Sequence, residues 1–519
     1  MTLFRASGSG CVILGLLALL GVSARAAEAA ETPLPATLSL GDAIQATLAR
    51  QPGVEISRQQ VLQRQGNLQS TSGRFDWTLG SFYSQELSRI PTGSPFPLPG
   101  VQRREISIYG AGATKQLRSG ITLTPQLTVV DAKDNLSSPS PISQSDLSLT
   151  ITVPLLRGLG IKTAGAQEAA ARVAAEAQQQ LSRYQLEQIV YQTASAYWNC
   201  LAAQRNRDIL HDSATRAERI LAMVEILAKG GEIDSATRDQ ARALVASRLA
   251  QREDGALTYF QSRQSLGLAM GLTATQLSGT PDVAGEFPST IAPDVLRPAM
   301  DDKYVSEALA RRGDYLAASL SVDAQQVLLD EAKGNLKPRL DFELKVGYAG
   351  DDRRADRFRP AYALSNDLTG VNALGALTLE WPVRNNVARG ALVTQRARAD
   401  EAKLTATQAA SNIAAGVLVS LETLRKTLAQ YELSAQAVET YRKAVGQTGE
   451  KMKAGEASLN ELIDVEDRYA EARRAQIDIL RRYAVTLAQL RLATGTLSVA
   501  DGGRAVFEVS TLTAVPFTP

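Results

Sequence analysis

A chain of 519 residues is long enough for several ordinary domains, yet its 56 Lys and Arg nearly balance its 54 Asp and Glu, so no basic excess points to nucleic acid. With one histidine and two cysteines it has neither a disulfide framework nor a Cys/His cluster of metal-ligand spacing. Beyond residue 26 no stretch approaches the roughly 20 continuous apolar residues of a membrane helix, so any crossing of a bilayer has to use strands.

The first residues combine the basic Arg5, an apolar run over 11–22 and the small-residue site Ala24-Arg25-Ala26. That pattern predicts a secretory signal over 1–26, cleaved from the mature chain. Cys11 opens the apolar run instead of following it, which argues against lipid attachment there. Cleavage leaves Cys200 alone, more readily a small buried apolar residue than a reactive thiol.

Further along, several segments alternate with period two. Phe75, Trp77, Leu79, Ser81 and Tyr83 form one such run, and 105–115 and 121–130 form two more, joined by the short turn Leu117-Arg118-Ser119-Gly120. Leu147, Leu149, Ile151 and Val153 alternate with Ser148, Thr150 and Thr152. Leu340, Phe342, Leu344, Val346 and Tyr348 alternate with Asp341, Glu343 and Lys345, and Ala373, Gly375, Leu377, Leu379 and Trp381 follow. Six strands are predicted, with Pro125 weakening the third because proline interrupts a ladder. Apolar-out, polar-in strands of about ten residues suit a membrane barrel wall, and a short turn opposite long loops around 91–100 and 131–143 is the outer-membrane arrangement. A half-buried soluble sheet shares the alternation. Trp77 and Trp381, at strand ends beside the helical parts, fit either an interfacial aromatic belt or anchors in a junction core.

Two proline-free stretches, 161–229 and 387–453, each suit one helix of about 65 residues, roughly 100 Å long. Leu421, Leu424, Leu428, Tyr431, Ala435 and Val438 step by three and four, as do Leu462, Val465, Tyr469, Ala472, Gln476, Ile479 and Tyr483. Ala-rich blocks such as 169–177 sit beside these seams and let a second helix approach closely, which favours a helical sheet or tube over an isolated pair.

The chain is also duplicated. Gly231-Glu232, Tyr259, Leu266, Leu268, Ala269 and Gly271 recur as Gly455-Glu456, Tyr483, Leu490, Leu492, Ala493 and Gly495, all at an offset of 224. Val153-Pro154 answers Trp381-Pro382 at 228, and Leu48, Leu68 and Gly73 answer Leu309, Leu329 and Gly334 at 261. The organisation that follows is a first helix and strand repeat over 27–280, a Pro-rich linker over 281–300, a second repeat over 301–499 and a tail over 500–519. Gly231 and Gly455 are expected to turn the chain at the tips of the long helices.

Three pieces stand out in this order: Leu40-Gly41-Asp42-Ala43-Ile44 opening the first unit, Val153-Pro154-Leu155-Leu156-Arg157-Gly158 after a strand, and Ala196-Tyr197-Trp198 in the long helix. With the matched Gly-Glu tips they resemble the TolC-type outer-membrane factor (outer membrane efflux protein) family over nearly all of the mature chain. The resemblance implies an α plus transmembrane β-barrel fold, in which duplicated long-helix coiled-coil units form a periplasmic α-barrel and the strands contribute to a shared trimeric outer-membrane barrel. It implies a homotrimer in the outer membrane of a Gram-negative bacterium, in contact with outer-membrane lipid, serving efflux or type I secretion with a periplasmic adaptor and an inner-membrane pump. In the family, acidic residues just after the second tip line a constriction, and they match Glu461 and Asp464, which are otherwise ordinary exposed helix carboxylates. Ala457 stands where the family has a gate-latching arginine and Thr237 where it has the acidic partner, so that latch is expected to be absent.

No nucleophile, base and orienter set is visible, no cofactor is implied, and His211 reads as a solvated helix residue. The competing reading from another class is a structural periplasmic coiled-coil scaffold with a small soluble sheet.

Overall fold

The structure, a computed structural model, describes residues 35–92, 100–135, 142–229, 234–290, 296–352, 368–501 and 504–517; the signal segment 1–26 lies outside the described residues. Helices α1 (Leu40–Arg50) and α2 (Pro52–Ser72) lead into strands β1 (Trp77–Thr92), β2 (Gly100–Gln116), β3 (Thr122–Asp134) and β4 (Ile142–Pro154), and α3 (Ala166–Lys229) and α4 (Ser235–Ala269) complete the first unit. The second unit repeats the plan with α5 (Asp301–Arg311), α6 (Gly313–Gly334), β5 (Arg339–Asp352), β6 (Leu368–Glu380), α7 (Asn386–Lys453) and α8 (Leu459–Ala493). Both ends of α1 and α5 differ by 261, and both ends of α4 and α8 by 224, so the offsets visible in the sequence are the offsets of the helices.

Local chemistry sets these boundaries. Ser39 caps α1 through the Asp42 N–H at 3.2 Å while the Asp42 carboxylate accepts from the Ser39 N–H at 3.1 Å. That reciprocal pair satisfies two amides that have no partner inside the helix. Pro52 then starts α2 at a position where its missing N–H costs nothing. Gly271 and Gly495, both at positive φ, end α4 and α8 and let the chain press on another helix junction. A Cβ at Gly271 would lie 2.6 Å from Gln51 Cα, and one at Gly495 would lie 3.0 Å from the Arg311 carbonyl carbon. Gln51 and Arg312 occupy equivalent places between the paired short helices, so each unit stacks a descending helix end to end on an ascending pair.

Laterally, α3 packs against α2 and α4 on one side and α6 and α8 on the other, and α7 packs outside α6 and α8. The layer therefore begins at the α2/α4 stack and ends at α7. Its main core joins Val190, Ala194, Tyr197 and Leu201 of α3 to Leu40 and Ile44 of α1, Leu266 and Met270 of α4, and Ala484 and Ala488 of α8. A second core repeats the arrangement around Ile413, Val417, Leu421 and Leu424 of α7 with Tyr304 of α5 and Leu487 of α8. Cys200 is buried in the first core, where desolvation pushes its thiol up to about 11, so it packs as an apolar residue. The Pro-rich linker is packed too: Thr37 and Leu38 pair in parallel with Asp282 and Val283, and Phe287 stacks on Trp198 with ring centroids 5.9 Å apart.

All six strands form one antiparallel sheet in chain order, β1-β2-β3-β4-β5-β6. Two details differ from the alternation pattern. Phe75 belongs to a single 3-10 turn before β1 and is 4% exposed, covered by the Arg118 guanidinium 4.9 Å from its ring. Pro125 stays inside β3, paired with Leu149 of β4, and its missing donor is accommodated by a gap in the β2 ladder between Gly112 and Lys115. The short turn at Arg118 fastens the sheet to the helices, because its guanidinium grips the Glu168 carboxylate through two bonds of 2.6 and 2.7 Å.

A buried carboxylate links the two units. Glu187 of α3, 1% exposed, accepts from the Ser498 hydroxyl at 2.5 Å and lies 3.4 Å from Arg183, and desolvation raises its pKa above the usual carboxylate value. A folded-state pKa above the unfolded one means that the native chain holds the proton longer, so this group's contribution to stability is largest at low pH and is lost as pH rises through the folded pKa. Glu187→Gln is therefore expected to flatten the alkaline limb of a plot of Tm against pH between weakly acidic and neutral pH. An unchanged slope in thermal scans would show that the carboxylate titrates as an ordinary glutamate.

Candidate functional site

Residues directly opposite in an antiparallel sheet share a face, so the register assigns every side chain to one of two surfaces. One surface carries Leu79, Ala113 and Pro125 in β1 to β3, then Leu149 of β4, Val346 of β5 and Ala373 of β6. The opposite surface carries Thr124, Thr150 and Lys345 in one register row and Gln126, Ser148, Gly347 and Asn372 in the next. On the first surface Leu79, Val371 and Leu377 are 80%, 78% and 67% exposed. A soluble sheet would cover its apolar face with helices; among the described residues, Leu79, Val371 and Leu377 have no such cover.

This apolar face has defined ends. Trp77 opens β1 and Trp381 follows β6, and both are exposed at the helical end. At the far end lie Tyr83 and Tyr109, with ring centroids 4.9 Å apart, and Tyr348. Sequence reading missed these tyrosines, because which of the 14 lie level with one another depends on strand register. From Val371 to Trp381 the backbone runs roughly 33 Å, or about 25 Å of height at a strand tilt of about 40°, the height of an outer-membrane barrel's apolar band. β1 and β6 are edges, with one side of each lacking a strand neighbour among the described residues.

On the polar surface, Asp146 and Lys345 pair at 3.6 Å. Where sheet meets helices, a polar cavity of about 570 Å³ is lined by Arg74, Arg157, Arg339, Glu331, Asp341 and Glu380. Arg339 is held by Asp341 at 2.6 Å and Arg74 by Gln116 at 2.9 Å, so the cavity wall is a fixed set of polar groups.

At the opposite end of the helices, Gly455 (φ +74°) turns α7 into α8. The Glu456 N–H donates to the Lys451 carbonyl at 2.9 Å and the Gly455 N–H to the Met452 carbonyl at 3.1 Å, a Schellman closure that requires a residue tolerant of positive φ. Gly231 lies outside the described residues. Glu461 and Asp464 both stand exposed on the first turns of α8. Glu461 forms a capping box with Ser458, accepting from its N–H at 3.0 Å, and Asp464 pairs with Arg468 at 2.9 Å. The two carboxylates share one helix face, each with a local partner. Thr237 donates its N–H to Asp234 at 3.0 Å, and Ala457 packs beside Met452, Leu459 and Leu462.

A different set of groups ties α8 to the first unit. Arg216 of α3 meets Glu466 at 2.7 Å, with side chains 23% and 15% exposed, and Arg248 of α4 contacts Asp467. Gln240 donates to Asn460 at 2.5 Å, and Arg473 pairs with Asp212 at 3.2 Å. Burial holds the Arg248 pKa below the usual guanidinium range, with Glu466 the nearby charge that opposes the shift. No sequence signal joins Arg216 to a carboxylate 250 positions away. The only hint is that Glu466 and Asp467 flank the seam of Val465 and Tyr469 instead of lying on the outer face.

The fold is thus one sheet with two open edges, carried on duplicated helices far longer than the sheet. Residues 304–496 match the outer membrane efflux protein family. The fold is similar to that of the Campylobacter jejuni CmeC outer membrane channel, with a TM-score of 0.64 at 14% identity over 88% of this chain and 85% of that one. The outer membrane protein VceC of Vibrio cholerae gives 0.63 at 15% identity over 88% and 96%, and the open state of the Neisseria gonorrhoeae MtrE outer membrane channel gives 0.60 at 15% over 88% and 88%. No curated protein sequence matches the chain. The resemblance drawn from the sequence holds: the family pattern covers the second unit, and the channel fold covers both.

The ties between α8 and the first unit make a measurable coupling. In a double-mutant cycle of Arg216→Ala and Glu466→Ala, unfolding in denaturant is expected to give a coupling of about 1–2 kcal/mol, as for a half-buried pair that shares one interface. Additive single effects would mean that the pair is no stronger than a surface contact.

Proposed function

We propose that this chain is one subunit of a homotrimeric outer-membrane channel, a passive conduit for export in a tripartite efflux or type I secretion system. The observation that carries the reading is the sheet's apolar face, exposed at Leu79, Val371 and Leu377, with aromatic residues at both ends. Open strand edges cannot face hydrocarbon, because each unpaired amide or carbonyl there costs several kcal/mol. Further copies supply the missing strands. The helical layer supports the same closure, since apolar residues are exposed at its two lateral edges, Val393, Leu404 and Val419 on α7 and Ile56, Leu257 and Phe260 on the α2/α4 stack. An 18-residue window of α7 with mean hydropathy 1.3 fits this packing role: it lies within a 68-residue helix that runs alongside α6 and α8.

In this reading the chain sits in the outer membrane of a Gram-negative bacterium, and the helices reach as a tube through the periplasm. A periplasmic adaptor and an inner-membrane pump deliver cargo to the tips formed at Gly231 and Gly455. Three copies of Glu461 and Asp464 ring the axis there and favour cations over anions. Arg216, Glu466, Arg248 and Asp467 hold α8 against the first unit in place of the arginine and carboxylate latch whose positions Ala457 and Thr237 occupy. The scaffold alternative leaves the exposed Leu79, Leu377 and Trp381 without a covering surface.

Two measurements test the proposal. The mature protein is expected in outer-membrane fractions as a heat-modifiable trimer; extraction with the soluble periplasm as a monomer would overturn it. Glu461→Ala with Asp464→Ala is expected to lower the single-channel preference for potassium over chloride severalfold, and unchanged selectivity would remove those residues from the constriction.

A further inference from the structure

Beyond the tyrosine level the outward face of β1 and β2 changes character. Continuing from Tyr83, the same face of β1 presents Gln85, Leu87 and Arg89, and the facing residues of β2 are Ser107, Glu105 and Arg103. Arg89 and Arg103 are directly opposite, so two guanidinium groups are held side by side, an arrangement that costs stability unless an anion bridges them. Both are exposed, and neither side chain has a hydrogen-bond or ion-pair partner among the described residues. Lys133 of β3 stands two residues nearer the tyrosines, opposite Glu105, whose carboxylate accepts from Gln85 at 2.8 Å. Asp131, a further step toward the tyrosines, is engaged by the Ser143 hydroxyl. The upper level of this face is left with three cations and one carboxylate.

We propose that Arg89, Arg103 and Lys133 bind the phosphorylated saccharide headgroup of a glycolipid in the outer leaflet. The inference rests on the membrane reading of the sheet. Height selects the ligand. Arg89 lies six residues beyond Tyr83, roughly 20 Å along the strand and about 15 Å of elevation at a tilt of about 40°. The headgroup layer of an ordinary phospholipid leaflet is only about 5–8 Å deep, so its phosphate stays below the arginines. A phosphorylated saccharide extends to them, and paired guanidinium forks match phosphate oxygens in a way that a single lysine does not.

The test uses the full mature protein in detergent, with native mass spectrometry reading retained ligand. The probes are a rough-type lipopolysaccharide with phosphorylated core, its dephosphorylated form, phosphatidylglycerol and inorganic phosphate. Arg89→Ala with Arg103→Ala is expected to weaken retention of the phosphorylated glycolipid roughly thirtyfold, from about a fivefold loss per cation, while the oligomer and its heat modifiability stay intact. Phosphatidylglycerol and millimolar inorganic phosphate are expected to compete poorly. Equal retention by the variant, equal retention of the dephosphorylated form, or displacement by inorganic phosphate alone would each overturn the site. A wild-type protein that never enters detergent micelles as an oligomer would instead overturn the membrane reading, so the two failures are distinguishable.

Discussion

Backbone amides and carbonyls that leave water must find partners, and a sheet with two free edges cannot satisfy that rule inside hydrocarbon. In this chain the consequence governs both halves of the molecule. Six strands are joined in unbroken chain order, yet the outermost ladders end at β1 and β6. The same incompleteness appears in the helices, where the lateral layer stops at the α2/α4 stack and at α7 with apolar side chains uncovered. In the proposed channel, one physical requirement, closure by further copies, answers the unpaired strand edges and the exposed helix seams together.

Duplication explains how one chain meets that requirement economically. Each unit sends a pair of short helices up to the sheet and returns through a very long helix followed by one of 35 residues. The turn chemistry is repeated along with the helices: Gly271 and Gly495 press on equivalent junctions, and Asp234 and Ser458, also 224 apart, cap α4 and α8. The units differ mainly in the sheet, where the first supplies β1 to β4 and the second β5 and β6. Arg118 gripping Glu168 marks the junction where period-two packing gives way to helical packing. Its carboxylate is held below the usual range by that guanidinium, so the clasp is present at neutral pH and is lost as pH falls through the folded pKa.

The tip shows how a local role and a channel role coexist. Glu461 is fixed as a helix cap and Asp464 by Arg468, so their positions on α8 are set before any assembly forms. The charges that join α8 to α3 and α4 follow within two turns of Glu461, at Glu466 and Asp467. In the proposed channel, the charges assigned to the axis are thus distinct from the charges that hold the helix, so each set can change without the other. This chain carries Ala457 and Thr237 where the resembled family places its latch, and its α8 remains tied to the first unit through Arg216 and Arg248.

The sequence by itself determined the repeat, the helix lengths, the strand count and the apolar alternation, because these depend on periodicity and on turn residues acting over a few positions. It also placed Gly455 at a turn and Trp77 and Trp381 at strand ends, since positive-φ tolerance and segment boundaries are local properties. Only the tertiary structure decided that the apolar face is left uncovered, that Tyr83, Tyr109 and Tyr348 lie at its far end, that Phe75 turns inward under Arg118, and that Arg216 meets Glu466. Those facts depend on register and on contacts across hundreds of residues, where a shift of one position exchanges the two faces of a strand and no short-range pattern selects the partner.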